Sequence, residues 1–264
     1  MSIVIREARN SDIEHVMALF RETGGNPYGW NVEKWMHYYR HYPDGDPVSL
    51  VAIRDNVIVG HYGLQPIKIG NVQAMLALHA YVAESQRGLA VISALMTELE
   101  KVSKLHGAEL ICGFSNPKFT TVKTSIFKWR VLCWLGFQSG VSQLDYSLMR
   151  SKRFYFNHSE DWLAWRFGSL KDRYVSLYLD EYGGERLQLL KWRKDEPQPD
   201  DEKVEVWSPR SMYGANQTNR FCQPFVVKTL KHELVEDGVL DYRNWSIDMG
   251  DSDTFQYRSA GVFT

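Results

Sequence analysis

The apolar run "VQAMLALHAYV" at residues 72–82 passes through a short polar loop into a helix-periodic stretch, and the junction reads "VAESQRGLAVI". Ile92, Leu95, Leu99 and Val102 then share one helical face up to Gly107. This spacing predicts a strand, a tight turn and an amphipathic helix. A helix beginning so soon after a strand presents unpaired N–H groups and partial positive charge at the turn. Such a turn is either a plain polar connection or a seat for an anion. Arg87, Gly88 and Ala90 allow the second reading: a cation, and small residues that let an anion near the backbone. The loop alone favours the plain connection. Neither GxGxxG nor GxxxxGK[ST] is present, which disfavours a nicotinamide dehydrogenase or a P-loop enzyme.

The elements before the junction set the fold class. "SIVIREA" reads as a strand, followed by a helix carrying Ile13, Val16, Met17 and Phe20 on one face, with Ser11 and Glu14 as its capping box. "NVEKWMHYYRHY" reads as a second helix, stopped by "PDGDP". Asp55-Asn56 between two β-branched runs signals a hairpin. "AELICGFSN" is a strand and Pro117 opens a helical stretch. The order β-α-α-β-β-β-α-β-α predicts an α+β fold: a mixed, mostly antiparallel sheet with helices on both faces. Residues 1–148 form this first domain. Residues 149–264 form a smaller, β-rich C-terminal α+β region, with a degenerate second copy of the first fold as one reading.

Composition narrows the partners. The net charge of −1 over 264 residues gives no general attraction to nucleic acid or anionic membrane. The N-terminus lacks a signal pattern, and no run approaches the ~20 apolar residues of a membrane helix. The three cysteines are scattered, which argues against disulfides and zinc and for a reducing, cytoplasmic setting. "DMGDSD" at 248–253 lacks the spacing of a calcium loop, so no metal is expected.

With "GFSN" at 113–116 and "WLGF" at 134–137, the junction resembles the acyl-CoA loop of the GCN5-related N-acetyltransferase superfamily, V-x-P-x-x-R-G-x-G. Val82, Arg87 and Gly88 match; Glu84 replaces Pro, and Ala90 replaces the last Gly. Trp35-Met36-His37-Tyr38, Val51-Ala52, "IVGHY" at 58–62 and Trp165-Arg166-Phe167 are similar, in order, to the branch of sugar N-acyltransferases of surface-polysaccharide biosynthesis.

The resemblance implies acyl-CoA as co-substrate. It implies an acetyl or larger acyl group, such as 3-hydroxybutanoyl, passing to the amine of a nucleotide-linked amino sugar. Backbone N–H near Tyr81–Val82 would polarise the thioester. The N–H groups of Arg87, Gly88, Leu89, Ala90 and Val91 would hold the pyrophosphate. Asn116 would meet the pantetheine arm, with a helix N-cap as its other reading. Leu76 and Leu78 occupy positions that are commonly acidic or basic in related enzymes, so neither takes a proton. His79 is the candidate base, or else a hydrogen-bonded histidine under a helix. An alternating strand places it on the opposite face unless the strand bulges. Tyr81 is a candidate proton donor to the thiolate. Tyr28, Trp30, Trp35, His61, Tyr62 and Arg220 are acceptor-site candidates. Two competing readings are a protein or aminoacyl N-acyltransferase and a catalytically silent acyl-CoA-binding scaffold.

Overall fold

The computed structural model describes residues 2–24, 29–139, 153–167, 174–180, 186–192, 205–209 and 222–247. The chain divides into two compact units. One holds Met1–Ile67 and Val72–Gly113; the other holds Lys68–Asn71 and Phe114–Gln256. The expected boundary near residue 148 lies outside the described residues.

The first unit follows the expected order: β1 (Val4–Glu7), α1 (Ile13–Gly24), α2 (Val32–Tyr39), β2 (Val48–Arg54), β3 (Val57–Ile69), β4 (Val72–Val82), α3 (Leu89–Leu105) and β5 (Leu110–Phe114). Its strands lie in the order β1-β2-β3-β4-β5. β1 and β3 flank β2 antiparallel, and β5 runs parallel to β4. Arg54 pairs with Val57 across Asp55-Asn56, whose φ angles of 51° and 62° are those of a two-residue hairpin turn.

Two glycines of β3 show which helices cover which face. A Cβ on Gly60 would meet Val91 and Leu95 of α3 at 2.9 and 3.0 Å. A Cβ on Gly63 would run into the Tyr39 hydroxyl of α2. Residues three apart in a strand point to opposite faces. So α3 packs on one face and α2 on the other. Phe20 of α1 meets His61 on the α2 side, with ring centroids 4.9 Å apart. The buried stripes are those the periodicity predicts: Ile13, Val16, Met17 and Phe20 on α1, and Ile92, Leu95, Leu99 and Val102 on α3.

The start of α1 departs from expectation. No Ser11–Glu14 capping box closes it. Instead the Asp12 carboxylate accepts from the Arg9 backbone N–H at 2.7 Å and from the two terminal Arg6 guanidinium nitrogens at 2.6 and 3.0 Å. Asp12 offers two acceptor oxygens and a fixed charge, so the Arg6 and Arg9 donors converge on it. The bond from Arg6 holds the Asp12 carboxyl below its ordinary range.

In the second unit, α4 (Pro117–Ser125) precedes β6 (Arg130–Ser139), which β10 (Glu205–Pro209) and β11 (Cys222–Thr229) flank antiparallel. β7 (Phe154–Tyr155) pairs in parallel with β12 (Trp245–Ser246), and β8 (Tyr174–Asp180) pairs antiparallel with β9 (Arg186–Trp192). The short helices α5 (Glu160–Phe167) and α6 (Glu233–Glu236) complete it. Phe154, Phe225 and Trp245 form an aromatic core, with the Trp245 ring 5.4 Å from each of the other two. Among the described residues, no helix is long and apolar enough to cross a membrane.

Candidate functional site

β4 changes direction at His79. Its φ of 55° is left-handed, which costs a non-glycine residue roughly 1–2 kcal/mol. Several contacts hold it there. The His79 carbonyl accepts from His61 Nδ1 at 2.8 Å, and His79 Nδ1 lies 2.9 Å from the Tyr39 hydroxyl. Trp30 and Tyr38 meet the His79 ring edge-on, at 4.5 and 4.8 Å between centroids. The left-handed residue is what brings the side chain to this face, and only 7% of His79 is exposed.

His61 is fully buried, and both ring nitrogens are engaged. A carbonyl only accepts, so Nδ1 carries the proton that reaches His79. Nε2 then accepts from the Ser49 hydroxyl at 2.9 Å. Burial lowers the His61 pKa to about 4, and the bond to the His79 carbonyl opposes this only in part. The ring is neutral near pH 7. Ser49 of β2, His61 of β3 and His79 of β4 thus form one polar chain across three strands.

Beyond this point no strand among the described residues pairs with β4 on the β5 side. Its register with β5 covers Ala74↔Leu110, Met75↔Ile111 and Leu76↔Cys112, then ends. On the other edge, the Ala83 N–H still bonds the Val59 carbonyl of β3 at 2.9 Å. Backbone groups alternate edges along a strand. With Ala83 facing β3, the N–H groups of Ala80 and Val82 face the edge that β5 has left.

A 3-10 turn at Glu84–Gln86 leads from β4 into α3. No side chain caps α3, and its first turn holds no acidic residue, so its leading N–H groups keep their positive end. Gly88 has an ordinary extended backbone (φ 166°, ψ 179°), and a Cβ added there would meet no protein atom within 4 Å. Protein packing therefore does not require a glycine at 88. Arg87 pairs with Glu84 at 2.9 Å on the surface, and Arg54 donates to the Gln86 side chain. Leu89 and Ala90 are exposed, whereas Val91 is buried against Gly60.

The structure gathers His61, His79, Tyr81 and Trp30 on the α1–α2 face. The Tyr81 ring lies 4.2 Å from Phe20, which also meets Trp30 at 5.0 Å. Trp35 is buried beside Tyr39, at 5.1 Å between rings. Tyr62 is not part of this group: next to His61 in β3, it points to the α3 face. His61 and Tyr62 are both buried and do not line one surface together. Asn116 belongs to the second unit, where its side chain caps α4 by accepting from the Phe119 N–H at 2.8 Å. Tyr28, Arg220 and the 248–253 stretch lie outside the described residues.

Sequence reasoning missed Tyr39, Ser49 and Gly63. Tyr39 follows Trp35 at i+4 and so shares its buried face. Gly63 stands two residues after His61, on the same face. Those spacings were the available signals. Among the described residues, no cluster of three or more His, Cys, Asp or Glu is arranged to hold a metal ion.

No family model matches the chain, and no curated protein matches it. It is similar in structure to the PaiA N-acetyltransferase of Thermoplasma acidophilum in complex with coenzyme A, at 20% identity and a TM-score of 0.39, over 50% of this chain and 91% of that one. It is similar to a GNAT-family acetyltransferase of Brucella melitensis in complex with acetyl-CoA, at 17% identity and a TM-score of 0.39, over 49% and 83%. A ribosomal-protein-alanine N-acetyltransferase of Brucella melitensis is similar over 86% of this chain and 99% of its own, at 12% identity and a TM-score of 0.45.

Proposed function

We propose that the chain is an acyl-CoA-dependent N-acyltransferase whose acceptor is the amine of a nucleotide-linked amino sugar. One observation carries the reading. β4 leaves β5 after Leu76, turns at His79, and leads into an uncapped helix whose Gly88 faces open space. An extended thioester arm fits a released strand edge, and a pyrophosphate fits a helix N-terminus. A glycine that packing does not need suits a position that a ligand approaches closely.

In this reading the pyrophosphate rests on the N–H groups from Arg87 to Val91, with Arg87 adding charge. The pantetheine arm runs along β4, and the N–H groups near Val82 polarise the thioester carbonyl. The amine attacks that carbon directly. The C–N bond forms, the C–S bond breaks, and the proton lost by the amine ends on solvent or on a side chain. In this reading His79 takes it and Tyr81 protonates the departing thiolate. A donor aimed at the developing oxyanion contributes the largest single effect in such reactions.

The amino-sugar acceptor is supported by the order of short motifs from Trp35 to Phe167. Tyr81, half-buried at the edge of the aromatic cluster around His79, brings an aromatic ring of the kind that suits a sugar. The test is thiol release from acetyl-CoA and 3-hydroxybutanoyl-CoA against a panel of dTDP- and UDP-linked amino sugars. Release with at least one pair is expected. Coenzyme A binding with no release from any pair would replace the enzyme with a binding scaffold.

A further inference from the structure

His61 sits beneath the kink of β4 rather than at a surface, and its bond to the His79 carbonyl has a geometric consequence. The peptide joining His79 to Ala80 is planar and trans. Its C=O and N–H therefore point in opposite directions. With the carbonyl held by His61 Nδ1 at 2.8 Å, the Ala80 N–H is turned away from the His61 ring. That direction is the β4 edge no longer paired with β5, and Ala80 itself is exposed.

We infer that His61 is a positioning residue: by gripping the His79 carbonyl it aims the Ala80 N–H at the acyl carbonyl of the donor thioester. This rests on the acyltransferase reading above. His61 touches neither substrate. It acts through one peptide plane, and Ser49 keeps it able to do so. Because the Ser49 hydroxyl donates to Nε2, the proton stays on Nδ1. Without that hydroxyl the ring can take the other tautomer, which sets a lone pair against the His79 carbonyl and releases it. The buried site favours the neutral ring, so the tautomer matters here.

The inference separates His61 from ordinary core packing. Phenylalanine fills the same space without a donor. Asparagine places an N–H2 close to where Nδ1 stands and restores the donor.

The experiment follows the Ala80 amide by ¹H–¹⁵N spectroscopy as free coenzyme A or acetyl-CoA is added. In the unsubstituted protein, acetyl-CoA shifts the Ala80 proton downfield and free coenzyme A does not. His61→Phe loses that difference while still binding coenzyme A; His61→Asn keeps it; Ser49→Ala shows a reduced one. With a competent acceptor, kcat of His61→Phe falls roughly tenfold to 10²-fold, the range up to loss of one oxyanion donor, with coenzyme A affinity unchanged. An Ala80 response in His61→Phe equal to that of the unsubstituted protein overturns the inference. So does an unsubstituted protein that binds acetyl-CoA with no Ala80 response. If His61→Phe does not fold, Ser49→Ala and His61→Asn decide by the same shift: an undiminished response in Ser49→Ala overturns the inference. Failure of the unsubstituted protein to bind acetyl-CoA removes the acyltransferase reading itself, a distinct outcome.

Discussion

The His61 Nδ1–H donates to the His79 backbone carbonyl at 2.8 Å, joining a fully buried neutral ring to the one left-handed residue of β4. Burial of that ring, which the bond to His79 offsets only in part, ties the stability of the first unit to pH. The pKa of His61 is 6.5 unfolded and about 4 folded, so between these values the unfolded chain binds more protons. Stability is complete above pH 6.5 and falls as pH drops towards 4. The gap corresponds to about 3 kcal/mol. Urea unfolding at pH 7 and pH 4.5 checks this, and His61→Phe should flatten the dependence over that window. An equal slope in the variant would assign the effect to other groups.

His79→Ala should lower kcat by roughly 10²-fold, the usual contribution of a positioned base, and leave coenzyme A affinity intact. The pH–rate profile is the decisive readout. If its acidic limb is unchanged in the variant, His79 is a packed histidine and not the base.

Glycines 63 and 88 should behave oppositely. Gly63→Ala drives a methyl into the Tyr39 hydroxyl, so it should cost about 1–3 kcal/mol and disturb the Tyr39–His79 contact. Gly88→Ala meets no protein atom, so the melting temperature should hold while coenzyme A affinity falls. A Gly88→Ala protein with normal affinity would place the pyrophosphate elsewhere.

Arg87 and Glu84 form an exposed pair and contribute little to stability. Arg87→Ala should weaken coenzyme A binding severalfold and flatten its salt dependence. Glu84→Ala should strengthen binding, because it frees the guanidinium for phosphate. Calorimetric titration at two salt concentrations distinguishes these outcomes.

Asn116→Ala should cost about 1 kcal/mol through the lost cap on α4, while Asn116→Asp, which keeps an acceptor for the Phe119 N–H, should cost less. Thermal unfolding of the two variants measures the difference.

The element order was legible because apolar spacing and turn residues carry it. Val16, Met17 and Phe20 repeat at helical period, and Asp55-Asn56 can adopt positive φ. The kink was not legible. Alternation along "ALHAYV" assigns His79 to one face, and tertiary partners from other elements, among them the His61 ring and the Tyr39 hydroxyl, stabilise the left-handed backbone that moves it. At the start of α1 the carboxylate that gathers donors is Asp12, bound to Arg6 of β1, a partner that local spacing around Ser11 and Glu14 does not reveal. The junction itself was legible as a turn. What distinguishes it from a plain connection is the space around Gly88 and the missing β5 partner, and neither is a property of local sequence.

The most direct measurement is a map of amide shifts in the labelled protein on titration with acetyl-CoA. The account predicts that the amides of 87–91 and of 78–82 respond together, with saturation at a single affinity. Binding that leaves both segments unmoved, or no binding at all, would contradict it.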